Sequence, residues 1–174
     1  MAESLFPDKT VNYRVYDDGE ALLGTATVEL PEIAYMTDTL SGAGIAGEVE
    51  TSVLGHTQAM SATINWTTVQ DKAVNFLSNN PRTLTFRSSQ QYYDSANGNL
   101  VTKPLKIVMK CLSKSMALGS LEPGVKTDSS SVVEVTYLKV ELDGKQLCEI
   151  DKFNYICTIG DDDLLASVRA DLGL

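Results

Sequence analysis

From Gln58 the chain alternates with period two. Met60, Ala62, Ile64 and Trp66 fall on one side, and Ser61, Thr63, Asn65 and Thr67 on the other. An apolar face backed by a polar one predicts a half-buried β-strand. The same period returns in RTLTFRSSQQYYD, with Leu84 and Phe86 inward and Thr83, Thr85 and Arg87 outward. It returns again in LVTKPLKIVMKCLSKSMAL, which sets Leu105, Ile107, Met109 and Cys111 against Lys106, Lys110 and Lys114. Residues 11–30 predict a hairpin turning at Asp18-Gly19, with Pro31 ending its second strand, and residues 131–159 predict a longer one turning at Asp143-Gly144. Both dipeptides suit the positive φ values of a type I′ turn. Apolar parity slips near Tyr137-Leu138, which predicts a bulge or a strand that changes partners. Asn97-Gly98 marks a further turn, and GSLEPGVKTDSSS a loop.

Two segments carry helical spacing instead. Val69, Ala73, Phe76 and Leu77 predict a helix of about three turns, capped by Thr67 or Thr68 and stopped by Asn79, Asn80 and Pro81. At the end of the chain, Leu164, Leu165, Val168 and Leu172 form a stripe behind Asp161–Asp163, with Gly173 at the C-cap position. Three adjacent aspartates favour a helix N-terminus over calcium, whose loops space their acids at alternate positions. Roughly seven strands and two short helices predict a mainly β fold, a β-sandwich or partial barrel with helices beside it. The 174 residues suffice for one domain, 1–174.

The stretch TLSGAGIAGEVE raises the question of chemistry. Gly42, Gly44 and Gly47 spell G-x-G-x-x-G, but a dinucleotide loop needs a strand before the glycines and a helix after them. Pro31 interrupts the upstream segment. Glu48 and Glu50 follow where a phosphate needs N–H groups, and Val49, Thr51, Val53 and Gly55 disfavour a helix. The reading is a long flexible loop, about residues 31–57, that carries Leu40, Ile45 and Val49 among its glycines. The three cysteines, Cys111, Cys148 and Cys157, share no metal spacing and read as small buried hydrophobes. His56 is the single histidine. No catalytic, metal or cofactor motif appears, and neither secretion nor membrane insertion is signalled.

The formal net charge of −9 is unevenly spread. Residues 1–50 hold ten acids and two bases, residues 51–126 three acids and eight bases, and residues 127–174 ten acids and four bases. An acidic chain is a poor gripper of nucleic acid. The three lysines of the later strand fit a solvated face or an interface rim, since no aromatics interleave them as in a single-strand platform. The acidic–basic–acidic order either neutralises itself within one fold or joins one copy to the next.

The order of these features resembles the major tail tube protein of contractile-tailed bacteriophages. The resemblance rests on the Asp18-Gly19 turn leading to Leu30-Pro31, the Gly42–Gly47 loop, Glu48-Val49, and Gly55-His56 leading into the alternating strand. It continues through Leu105–Lys110, Gly119–Asp128, Tyr137–Gly144 and Val168–Leu174. The resemblance implies a structural, non-enzymatic protein without cofactor. Six copies would form a ring, and rings would stack into a hollow tube with a β-barrel wall closed across subunits, inside a contractile sheath. Its partners would be further copies of itself, the sheath, tape-measure and baseplate proteins, with DNA passing through unbound. It would reside in the virion tail after assembly in the host bacterial cytoplasm; a contractile bacteriocin tube lacking a genome is the alternative. On this reading Leu40, Gly42, Gly44, Ile45, Gly47 and Val49 form an inter-subunit loop. Ser61, Thr63 and Asn65, polar but uncharged, would face the lumen, with any net charge on its lining negative.

Overall fold

Residues 60–66 alternate in space as they do in sequence. Met60, Ala62, Ile64 and Trp66 are wholly buried, while Ser61, Thr63 and Asn65 point outward. The computed structural model describes residues 5–22 and 25–174, so Leu23 and Gly24 of the predicted first hairpin lie outside the described residues. Its first elements are β1 (Leu5–Asp17), β2 (Glu20–Ala21), β3 (Thr25–Glu29), β4 (Tyr35–Ser41), β5 (Glu48–Thr57) and β6 (Met60–Trp66). After α1 (Asp71–Val74) come β7 (Arg82–Asp94), β8 (Asn99–Ala117), β9 (Ser129–Leu142) and β10 (Lys145–Asp151). The chain ends with β11 (Ile156–Ile159), β12 (Asp162–Asp163) and α2 (Ala166–Leu172). The fold is mainly β and antiparallel, as expected.

β9 is the pivot. Its first half pairs with β6, from Val135 opposite Met60 to Ser129 opposite Trp66. Its second half pairs with β10, beginning at Tyr137 opposite Asp151. The parity slip at Tyr137-Leu138 is therefore a change of partners, and the β8–β9 register also shifts there, so that Thr136 is the extra residue. β8 runs along β9, β7 along β8, and β1 along β7. The run β3-β6-β9-β8-β7-β1 makes a sheet whose two ends share no ladder among the described residues. Residues of both ends nevertheless line one cavity, Thr10 and Tyr13 from β1 with Thr27 and Val28 from β3. The sheet thus curls into a partial barrel left open along one seam. Leu84, Phe86, Ile107, Met109, Val133 and Val135 fill its interior with the β6 residues.

Four expectations need correction. Asp18 and Gly19 turn the chain with φ 45° and 91° as foreseen, but only Tyr16–Ala21 and Asp17–Glu20 pair across them. Leu22 then enters the core, and β3 crosses to β6 instead of returning along β1. Turn chemistry fixes a local reversal but not a distant partner.

The predicted three-turn helix is one α turn followed by a 3₁₀ turn, Asn75–Ser78, with Gln70 rather than Thr67 or Thr68 as N-cap. The Asn75 carbonyl accepts from Arg82 Nη2 at 2.6 Å and from Ser78 Oγ at 2.8 Å, which favours the tighter winding. Ala73 and Phe76 are buried, whereas Val69 and Leu77 are exposed.

Asp161–Asp163 do not open the last helix directly. Asp162 and Asp163 pair with β11, and Asp163 Oδ1 then accepts the Leu165 N–H at 3.2 Å. Leu165 is buried and Leu172 exposed. The segment about 31–57, expected as a flexible loop, is the fourth.

Candidate functional site

Residues 35–57 form a two-stranded antiparallel arm, β4 against β5, separate from the main sheet. Ser41 pairs with Glu48 and closes a six-residue tip in which Gly42, Gly44 and Gly47 take φ of 149°, 97° and 129°. Such values are strained for residues with a Cβ. The Ile45 N–H bonds the Gly42 carbonyl at 3.2 Å and leaves Ile45 half-buried. A strand, not a helix, follows these glycines, so the arrangement a pyrophosphate needs is absent.

Pairing sorts the arm into two faces. Leu40 opposes Val49, and Asp38 opposes Thr51. The other side carries Thr37 opposite Ser52, Thr39 opposite Glu50 and Ser41 opposite Glu48. Leu40 is 52% exposed and Val49 48%, so nothing in the described chain covers the apolar side. An apolar β face left open is an interaction site or a liability.

The arm's base is fixed, which lets its tip be presented rather than collapse. Gln58 donates to the Ala34 carbonyl at 2.8 Å and through Nε2 to the Tyr35 carbonyl at 3.1 Å, and Lys152 Nζ donates to the Gln58 carbonyl at 2.8 Å. Gly55 sits at φ 64° so close to Leu165 that a Cβ would lie 2.6 Å from its side chain. The arm root is thereby wedged against the segment leading into α2.

The outward face of β6 is the second candidate. Asn65 Nδ2 donates to Thr27 Oγ1 at 3.0 Å, and Thr63 lies between Glu29 and Val132 in register. Ser61 is exposed and accepts from Lys114 Nζ at 3.0 Å. This face is less neutral than β6 alone suggests, because β9 brings Glu134 opposite Ser61. Lys114 and Lys152 neutralise that carboxylate at 3.3 and 3.7 Å, while Glu29 has no ion pair among the described residues.

Charge is largely settled within the chain. Lys72, Arg82, Lys103, Lys106 and Lys114, all from the basic middle, pair with Glu20, Asp17, Asp143, Glu141 and Glu134 of the acidic flanks. Lys110 lies 5.1 Å from the Tyr137 ring. The four lysines of β8 are thus engaged by neighbours on the sheet surface.

Cys111 and Cys157 are buried and Cys148 half-buried, all as free thiols. Burial pushes Cys111 up to about 12 and raises the other two, so none is poised as a nucleophile. Among the described residues no group of His, Cys, Asp and Glu is arranged to hold a metal. Sequence reading missed Met36, Val53 and Leu54 on the arm, because their alternation has no buried side to set it against.

The chain resembles known proteins over nearly its whole length. It is 26% identical to the tail tube protein of Escherichia phage P2 over 171 residues, covering 97% of this chain and 98% of the relative. Its fold is similar to the sheath/tube terminator of a PVC extracellular contractile injection system in the extended state. That match has a TM-score of 0.57 at 11% identity, over 78% of this chain and 97% of that one. A family model described as phage tail tube protein FII matches residues 7–173, and the chain therefore belongs to that family of structural tail proteins.

Proposed function

We propose that this tail tube protein assembles with copies of itself into rings, six to a ring, that stack into the hollow tube of a contractile tail. The arm carries the reading: an amphipathic hairpin, held rigidly at its root and uncovered along its apolar face, fits a neighbouring copy. A knob on one surface that fits a socket elsewhere on the same chain makes a heterologous contact, and such contacts propagate as rings or filaments. The two-stranded arm supports the same conclusion, because it pairs with no third strand among the described residues, and such edges are removed by pairing between subunits. The relative from phage P2 supports a virion tail location and a sheath around the tube; tape-measure and baseplate partners follow from that placement. A tube of a genome-free contractile system shares this geometry. Concentrated protein viewed by negative stain should show tubes with a central hole, and a monodisperse monomer at every concentration would overturn the reading.

The lumen is assigned to the β6 face. Ser61, Thr63 and Asn65 keep that surface hydrated, Glu134 pairs the Lys114 that reaches Ser61, and Glu29 leaves it weakly negative. A polyanion slides past such a wall, whereas free lysines hold phosphate by counterion release. Thr63→Cys should be labelled in the monomer by a bulky maleimide and protected in assembled tubes, and the raised native thiols keep the background low. Equal labelling in monomer and tube would place this strand on the outer wall.

A further inference from the structure

The outward rows of β1, β7, β8 and β9 carry an excess of cations. Arg14, Arg87, Lys106 and Glu141 lie side by side in register. The next row is Tyr16, Thr85, Val108 and Lys139, and the one after it Thr83, Lys110 and Tyr137. In these rows five bases meet one carboxylate. Glu141 takes Lys106 at 3.1 Å and Lys139 at 3.2 Å, and those bonds hold its carboxyl below the usual range. Lys110 lies over the Tyr137 ring.

Arg14 and Arg87 are left over. They are directly opposed and both exposed, and like charges so placed repel. Neither has a carboxylate within 4 Å among the described residues. The Arg87 guanidinium lies 5.9 Å from the Tyr16 ring, which restrains it without neutralising it. Both arginines line a cavity of about 370 Å³ whose wall includes Ser89 and Thr102 and no acid. On a chain of net charge −9, that face is complementary to most of the remaining surface and above all to acids that lack a cation.

The arm presents such acids. Residues 35–55 hold three acids and no Lys or Arg. One side of the arm sets Thr39 opposite Glu50 and Ser41 opposite Glu48. Glu50 takes the Thr37 hydroxyl at 2.6 Å, but neither glutamate has a cation within 4 Å among the described residues. No residue lining the cationic cavity comes from the arm of the same copy. Arginines without carboxylates and carboxylates without cations are satisfied together when two copies meet. We infer that the acid-bearing side of one copy's arm lies on the outer face of β1 and β7 of a second copy, with Glu48 and Glu50 against Arg14 and Arg87. The contact is between side chains of two sheet faces and takes no main-chain hydrogen bond from β1. Leu40 and Val49 lie on the other side of the arm, so charge changes here leave the apolar side as it is. The assignment rests on the self-assembly proposed above and names a surface that the arm meets.

Charge reversal tests it in the full-length chain. Arg14→Glu with Arg87→Glu, or Glu48→Arg with Glu50→Arg, should raise the concentration needed for tubes by about tenfold or more while leaving the melting temperature unchanged. The four changes combined should restore assembly. A second readout does not depend on charge: Thr39→Cys chains mixed with Ser89→Cys chains should give a disulfide-linked dimer in tubes that neither variant gives alone. Tubes that form normally after either reversal, with no mixed dimer, overturn the contact and leave the tube intact. Reversals that the combined chain does not rescue, again with no mixed dimer, do the same. Tubes that tolerate the arginine reversal but lose retention of a DNA oligonucleotide assign the face to a polyanion instead. A wild-type chain that never associates overturns both readings.

Discussion

Trp66→Ala should destabilise the monomer by about 3–5 kcal/mol, the range for deleting a buried aromatic that leaves a cavity. Trp66 is wholly buried and meets Phe76 edge-on at a centroid distance of 5.6 Å. Its indole Nε1 donates to Ser131 Oγ at 3.0 Å, and Ser131 is itself buried on β9. Truncation therefore removes one contact that ties the 3₁₀ turn to the sheet, and strands a buried hydroxyl as well. Thr63→Ala, on the same strand but facing out, should stay within about 0.5 kcal/mol. Urea unfolding of the two variants gives the comparison. A Trp66→Ala loss below about 1 kcal/mol would mean that the cavity collapses and that β6 is not the keystone of the core.

The β6 strand was legible in sequence because a buried face and a wet face demand different residues, and period two is the imprint they leave. The slip at Tyr137-Leu138 was legible for the same reason: inserting Thr136 moves every later side chain to the other face, so a parity change marks the place where β9 exchanges β6 for β10. The arm left a weaker imprint. Neither of its faces is buried within the monomer, so Thr37, Leu40, Val49 and Glu50 are all exposed and the alternation has no core to point at. Its glycines could be read only as freedom to turn, although the turn they make is the tip of a hairpin. The helix was overextended because Val69 and Leu77 complete an apolar stripe that the monomer does not use, and because Arg82 claims the Asn75 carbonyl from outside the segment. The pairing of Arg14 with Arg87 was beyond sequence reading. Arg14 belongs to an acidic segment and Arg87 to a basic one, and only the β1–β7 register brings them face to face. What the sequence did carry was the family, and the P2 relative aligns along nearly the whole chain.

Leu40→Asp should abolish tube formation and leave the monomer folded. Leu40 and Val49 face each other across the arm and are about half exposed, so the monomer gains little from them. In a tube their remaining surface would be buried against a neighbour, a gain of about 1–2 kcal/mol for each side chain that is covered. A ring repeats the contact in every subunit and a stack repeats it in every ring, so a deficit of that size is multiplied along the assembly. A carboxylate does more than remove the gain, because burying an unpaired charge costs several kcal/mol. Ile45→Asp, at the half-buried tip, should act in the same direction with some loss of local order. Sedimentation velocity and negative stain read the assembly, and thermal unfolding reads the monomer. Hydrogen exchange supplies the structural check: amides of residues 39–50 should exchange readily in the monomer, where the β4–β5 ladder is exposed, and slow in wild-type tubes, where a neighbour covers it. A Leu40→Asp chain that unfolds would make the arm part of the core. One that still forms tubes, with residues 39–50 equally protected in monomer and polymer, would remove the arm from the assembly altogether.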